Sequence, residues 1–233
     1  MRLTNKNEIR FTNSGSSNYT NIFIYTFIKQ MRDFMKRILA LALTSSVIFY
    51  ASLAHANKTE KAVLAGGCFW CMESDFEKLA GVTDVISGFT GGKLKNPTYN
   101  GNHRGHYEAV EITYDPAIVS YKAILEHYWV NIDPFDAKGQ FCDKGPSYLS
   151  AIFVANEQER KLAVQSKQAV SKQFPNKTVV TPILNTSTFY PIKGDESYHQ
   201  DYYKNNPIRY NTYRWRCGRD NRLEEIWGDK ASH

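Results

Sequence analysis

The 233-residue chain is 42% hydrophobic and 22% charged, the balance of a globular protein rather than a disordered or fibrous one. Its formal charge of +6 is unevenly placed: of 29 basic and 23 acidic residues, seven and two lie in residues 1–56, leaving 22 and 21 for the remainder. A body so close to neutral lacks the basic surface that nucleic acid demands, and no nucleic-acid partner is expected.

The basic excess belongs to an export signal. From Met35 the chain reads MKRILALALTSSVIFYASLAHA. Lys36 and Arg37 form a positive start, Ile38 to Leu53 are mostly apolar, and Ala54-His55-Ala56 is an Ala-x-Ala cleavage signal. The predicted organisation is an extra N-terminal segment 1–34, upstream of the true start or a long prelude to the leader, a signal peptide 35–56, and one domain 57–233. Cleavage after Ala56 would leave a periplasmic or otherwise exported protein, with a monomer as the default. The alternative is an uncleaved membrane anchor. Against it, the apolar run falls just short of the roughly 18 residues that span a bilayer, and Thr44, Ser45 and Ser46 interrupt it.

The domain opens with Lys61–Ala65, a short apolar strand stopped by Gly66-Gly67. Phe69, Met72, Phe76 and Leu79 recur at helical spacing, predicting a helix over Cys68–Leu79 that Ala80-Gly81 ends. Val82–Phe89 reads as a strand, and Thr90–Arg104 as a loop rich in Gly, Asn and Pro. In the strand Glu108–Asp115, Glu108, Val110, Ile112 and Tyr114 share one face, while Ala109, Glu111 and Thr113 share the other. Ser120 is placed to cap a helix over Tyr121–Val130. A loop over Asn131–Ser147 leads to a strand at Tyr148–Ala155. Asn156, with Glu159 three residues on, begins a capping box for a helix to Gln173. A β-rich stretch over Thr178–Asn185 precedes an irregular C-terminal segment. Strand-helix-strand-strand-helix-strand is the order of a ferredoxin-like split βαβ, an α+β two-layer sandwich.

The chemistry centres on AGGCFWC, with Cys68 directly after a strand and two glycines, at a helix start. Unpaired backbone N–H groups and the positive dipole end gather there, and both are expected to lower the thiol pKa. Cys71, one turn on, faces the same side. The pair reads as a reactive thiol with a neighbour, a thioredoxin-like redox pair, or core sulfur beside aromatics. A zinc site is disfavoured, because Cys142 and Cys217 stand alone without C-x-x-C partners or an H-x₃₋₅-H. Four cysteines are too few to suggest a disulfide scaffold, although export permits disulfides. Phe69 and Trp70 beside the sulfur suit a substrate with a small apolar group. Glu108, if its strand face is buried, would have a raised pKa and serve as a general acid.

GCFW at Gly67–Trp70, SGFTGG with NPTY at Asn96–Tyr99, GHYEAV at Gly105–Val110, QFCDKGPSYLSAIF at Gln140–Phe153 and YHQDYY at Tyr198–Tyr203 together resemble the methionine sulfoxide reductase A family. The resemblance runs from Lys61 to Trp227. It implies reduction of methionine-S-sulfoxide, free or in proteins. Cys68 would be the nucleophile and Glu108 the proton donor. Tyr99 and Tyr148 would hydrogen-bond the sulfoxide oxygen, Asp143 would order the site, and Phe69 and Trp70 would hold the S-methyl group. The product would be a Cys68 sulfenic acid, then a disulfide reduced by a thioredoxin-like donor, with no metal or organic cofactor. The resemblance ranks Cys217 first as the resolving thiol, with Arg216 and Arg219 favouring its thiolate. Cys71 follows, standing where the family commonly has Gly; Cys142 is third and expected to pack. A general thiol–disulfide oxidoreductase and a non-catalytic envelope module that binds apolar peptides are the rival readings.

Overall fold

The computed structural model describes residues 58–231, together with Phe27, 29–32 and 34–36, which are helical. The chain forms two compact units, Met1–Ala56 and Asn57–His233. Apart from Met35 and Lys36, the expected leader lies outside the described residues. Among those residues, no helix is long and apolar enough to cross a membrane.

The second unit contains β1 (Glu60–Gly66), α1 (Phe69–Phe76), β2 (Val82–Thr90), β3 (Tyr107–Tyr114), α2 (Tyr121–Val130) and β4 (Ser150–Val154). In the sheet β4 pairs with β1, β1 with β3 and β3 with β2, all antiparallel, which is the split βαβ order expected from the sequence. Next come α3 (Glu157–Gln173), β5 (Ile183–Asn185), which lies parallel to β4, and β6 (Tyr190–Pro191), which pairs with β2 at the opposite edge.

Alternation along the strands fixes the faces. Leu64 lies opposite Val110 and Ile152, and all three are fully buried with Phe76, Ile124, Leu125 and Tyr128 under the helices. The other face carries smaller residues, Ala65, Ala109 and Ala151, beneath Phe153. Helix starts follow local chemistry. Ser120 Oγ accepts the Ala123 N–H at 3.2 Å. Asn156 Oδ1 accepts the Glu159 N–H at 2.9 Å while Glu159 accepts the Ala155 N–H at 2.8 Å, a box that satisfies two donors at the start of α3.

Two elements differ from expectation. Tyr148 does not start a strand: Gly145, at φ +126°, leads into a 3₁₀ turn over Pro146–Tyr148, and the strand begins at Ser150. The β-rich stretch from Thr178 pairs as strand only from Ile183, since Pro182 has no N–H to give a ladder.

The C-terminal segment is irregular in path yet carries three short helices: α4 (Tyr202–Asn205), α5 (Pro207–Arg216) and α6 (Arg219–Trp227). Their polar composition hides how deeply they are anchored. Arg219 is 1% exposed. Its guanidinium donates to Asn131 O at 2.7 Å, pairs with Asp75 at 3.3 Å and lies 4.5 Å over the Phe141 ring. Arg214 meets the same carboxylate at 2.8 Å. Trp227 Nε1 donates to Ile132 O at 3.0 Å. Asp75→Ala would leave Arg219 buried without its carboxylate, and removing one partner of a buried pair costs about 3–5 kcal/mol. Urea denaturation should show that loss; a change below about 1 kcal/mol would mean that water or Asn131 compensates the charge.

Candidate active site

The strand-turn-helix at the end of β1 sets Cys68. Gly66 ends the strand where a Cβ would lie 2.4 Å from Met72 Sδ, and Gly67 turns the chain at φ +85°. Cys68 then occupies the N-cap position of α1, its carbonyl accepting the Cys71 and Met72 N–H groups at 3.1 and 3.3 Å. The side chain is 6% exposed and opens onto a cavity of about 60 Å³, room for the tip of a side chain.

Every residue ranked from the sequence as nucleophile, acid or substrate contact lines that cavity. Phe69 and Trp70 come from α1, Tyr99 from the β2–β3 loop, and Glu108 from the start of β3. Asp143 comes from a two-residue ribbon (Gly139–Gln140 against Asp143–Lys144), and Tyr148 from the 3₁₀ turn. Glu108 is 1% exposed and accepts the Phe69 N–H at 3.2 Å. Burial pushes its pKa up to about 8; the Phe69 hydrogen bond works against that and the Asp143 charge works with it. Burial also pushes the Tyr99 hydroxyl up to about 12 and raises that of Tyr148, so both stay protonated donors.

The thiols do not behave as the helix start predicts. Burial raises the Cys68 thiol well above its ordinary value, and the hydrogen bond to Cys71 and the charges of Cys71 and Glu108 act in the same direction. The Cys71 thiol is lowered, first by the hydrogen bond from Cys68 and then by Arg219 and Arg214. Desolvation outweighs the helix dipole at Cys68, and the buried arginines lie behind its neighbour. Of the two thiols, Cys71 is therefore the more acidic.

Cys142 and Cys217 also depart from expectation. They form a disulfide with Cα atoms 4.9 Å apart, so Cys142 is cross-linked rather than merely packed, and Cys217 lies outside the cavity. Cys68 and Cys71 are the free, buried cysteines. Arg219 does not attend Cys217 but is committed to Asp75 and Asn131. Cys142, Asp143 and Cys217 come within metal-binding distance of one another, but sulfurs bonded to each other offer no thiolate to an ion.

Two residues of the site were not read from the sequence. Tyr213 lines the cavity, donates to Asp143 Oδ2, packs edge-on against Trp70 and reaches the Cys68 sulfur. Its signal was its place one helical turn before Cys217. His199, 1% exposed, accepts the Trp70 Nε1–H at 3.0 Å and stacks on the indole, which Tyr202 covers from 3.9 Å. It lies in the YHQDYY block, whose recurrence carried no chemical meaning by itself.

The comparisons with known proteins agree with this geometry. Residues 60–231 match the family model described as peptide methionine sulfoxide reductase. The chain is 47% identical over 199 residues to peptide methionine sulfoxide reductase MsrA 2 of Caulobacter vibrioides, covering 83% of this chain and 100% of that one. It is 48% identical over 179 residues to the MsrA of Bacillus licheniformis, covering 75% and 97%. Among solved structures, methionine sulfoxide reductase A of Corynebacterium diphtheriae superposes with a TM-score of 0.56 at 28% identity, over 64% of this chain and 76% of that one. With a family model spanning most of its length and relatives matched almost end to end, the chain belongs to the peptide methionine sulfoxide reductase family.

Proposed function

We propose that this chain is a peptide-methionine (S)-S-oxide reductase whose nucleophile is Cys68. The observation that carries the reading is the convergence on one small cavity of the Cys68 sulfur, a carboxyl that burial keeps protonated at neutral pH, two tyrosine hydroxyls and an aromatic wall. Phe69 and Trp70 take the S-methyl group, and Tyr99 and Tyr148 donate to the sulfoxide oxygen. Cys71, hydrogen-bonded to Cys68 and the more acidic of the two, takes the Cys68 proton. The Cys68 sulfur attacks the sulfoxide sulfur, Glu108 protonates the oxygen, and methionine leaves a Cys68 sulfenic acid. Preference for the S epimer rests on the family.

The second thiol in this reading is Cys71. It is free and hydrogen-bonded to Cys68, whereas Cys217 is bonded to Cys142. Its sulfur displaces water from the sulfenic acid, and a thioredoxin-like protein then reduces the Cys68–Cys71 disulfide. One turnover on a racemic sulfoxide without reductant should yield one methionine per chain, from the S epimer. Peptide mapping should then find a Cys68–Cys71 bond with Cys142–Cys217 intact. A Cys68–Cys217 bond would sink the assignment of Cys71, and consumption of the R epimer would sink the stereochemistry. Export belongs to the same proposal, on the strength of the 35–56 leader pattern. An exported protein whose first residue is not Asn57 would refute cleavage after Ala56.

A further inference from the structure

Beside the catalytic cavity, a groove of about 650 Å³ runs along one face of α5. Ile208, Arg209, Thr212, Tyr213 and Arg216 form its wall, and the Cys142–Cys217 disulfide closes it. Spacings of four and one put these side chains in a single stripe. Ile208 is 85% exposed, a large apolar side chain left open in the groove. Arg209 and Arg216 are exposed too, and the arginine ion pairs among the described residues belong to Arg214, Arg219 and Arg222 instead. Asp143, the acid nearest in sequence to the disulfide, is held by the Tyr213 hydroxyl. The groove therefore offers an apolar floor and two uncommitted cations.

Tyr213 lines both spaces, so the groove adjoins the site where the reacting residue sits. From Ile208 to Arg216 the helix advances about 12 Å at 1.5 Å per residue. Three or four extended residues cover that distance at about 3.3–3.6 Å each. A polypeptide whose oxidised methionine occupies the cavity has neighbours of the right length to lie there.

We infer that this groove is a subsite for the oxidised polypeptide: it takes the three or four residues on one side of the methionine sulfoxide and favours acidic ones among them. The inference rests on the proposed reductase reading, and it identifies a substrate class that the cavity alone does not. The shared Tyr213 and two arginines without an ion pair among the described residues favour the substrate chain over a reductant protein or a second copy.

The test follows single turnovers of the full-length protein without reductant, which leaves the Cys142–Cys217 bond closed, and repeats them at multiple turnover with a thioredoxin as protein reductant. Its substrates are N-acetylmethionine sulfoxide and peptides carrying Asp or Lys at the three positions on either side of the sulfoxide. Acidic residues on one side should raise kcat/KM over the lysine series by about fivefold, the scale of two exposed ion pairs, and salt should shrink that gap. The Arg209→Glu/Arg216→Glu double variant should reverse the preference and leave N-acetylmethionine sulfoxide turnover unchanged. Equal rates across both series, or a preference that the double variant keeps, would overturn the inference and leave the reductase reading standing. A double variant defective only with a protein reductant would assign the groove to that reductant and overturn it as well. No turnover of the small sulfoxide by the wild-type protein would overturn the reductase reading itself, and the groove's role with it.

Discussion

Cys68→Ser is expected to reduce sulfoxide turnover to background, a loss on the order of 10⁴-fold or more, as removal of a covalent nucleophile costs. The rival nucleophile is Cys71, which carries the lower pKa of the pair. Geometry decides between them: Cys68 lines the cavity with Glu108 and both tyrosines, whereas Cys71, 2% exposed, lies beneath it toward Arg214 and Arg219. The two variants should therefore fail differently. Cys68→Ser forms no methionine at all. Cys71→Ser forms about one methionine per chain, more slowly because the proton acceptor is gone, and stops, with the Cys68 sulfenic acid trappable by a 1,3-diketone reagent. Quantifying methionine by chromatography reads both outcomes. A Cys68→Ser protein that still gave a stoichiometric burst would transfer the nucleophile's role to Cys71.

Glu108→Gln is expected to slow the chemical step by about 10²–10⁴-fold, the usual worth of a positioned general acid. Its pH behaviour is the sharper test. With a pKa raised to about 8, the Glu108 carboxyl holds its proton at pH 7 and loses it as pH rises through 8. The wild-type rate should accordingly fall on the alkaline side of about 8. Other titratable groups face Cys68 from every side: Cys71 from α1, Glu108 from β3, Tyr99 and Tyr148 from loops, Tyr213 from α5. Ionisation of the thiol pair gives the acidic limb, since the nucleophile must shed its proton. In Glu108→Gln the alkaline limb should vanish while the acidic limb stays. An alkaline limb that persisted at the same pH would assign proton donation to one of the tyrosines.

The sheet was legible because strand alternation and burial carry the same information: Glu108, Val110, Ile112 and Tyr114 are all buried, as the pattern required. The helix starts were legible because Ser120 and Asn156 act within three residues of themselves. The C-terminal helices were not. Their inward faces mix Tyr202, Tyr210, Leu223, Ile226 and Trp227 with Arg214 and Arg219, and the two arginines look like solvent-facing residues until Asp75, more than a hundred residues away, is set beside them. Cys68 and Glu108 could be argued from turn chemistry and strand phase. Tyr99, Asp143 and Tyr148 came only with the family resemblance, because loop residues have no period to reveal them. The Cys142–Cys217 bond closes a separation of 75 residues, and spacing alone does not specify connectivity. The direction of the Cys68 pKa is not legible, because a sequence shows the helix start and not the depth of burial.

Arg219 reaches Gly66 O, the Met72 sulfur and Asp75 from α6, near the far end of the chain. A ribosome delivers β1 and α1 long before it delivers that guanidinium. Until Arg214 and Arg219 arrive, Asp75 has no counter-charge and the backbone under Cys68 has no guanidinium beside it. The reactive turn is thus complete only when residues about 150 positions apart in the chain have been brought together.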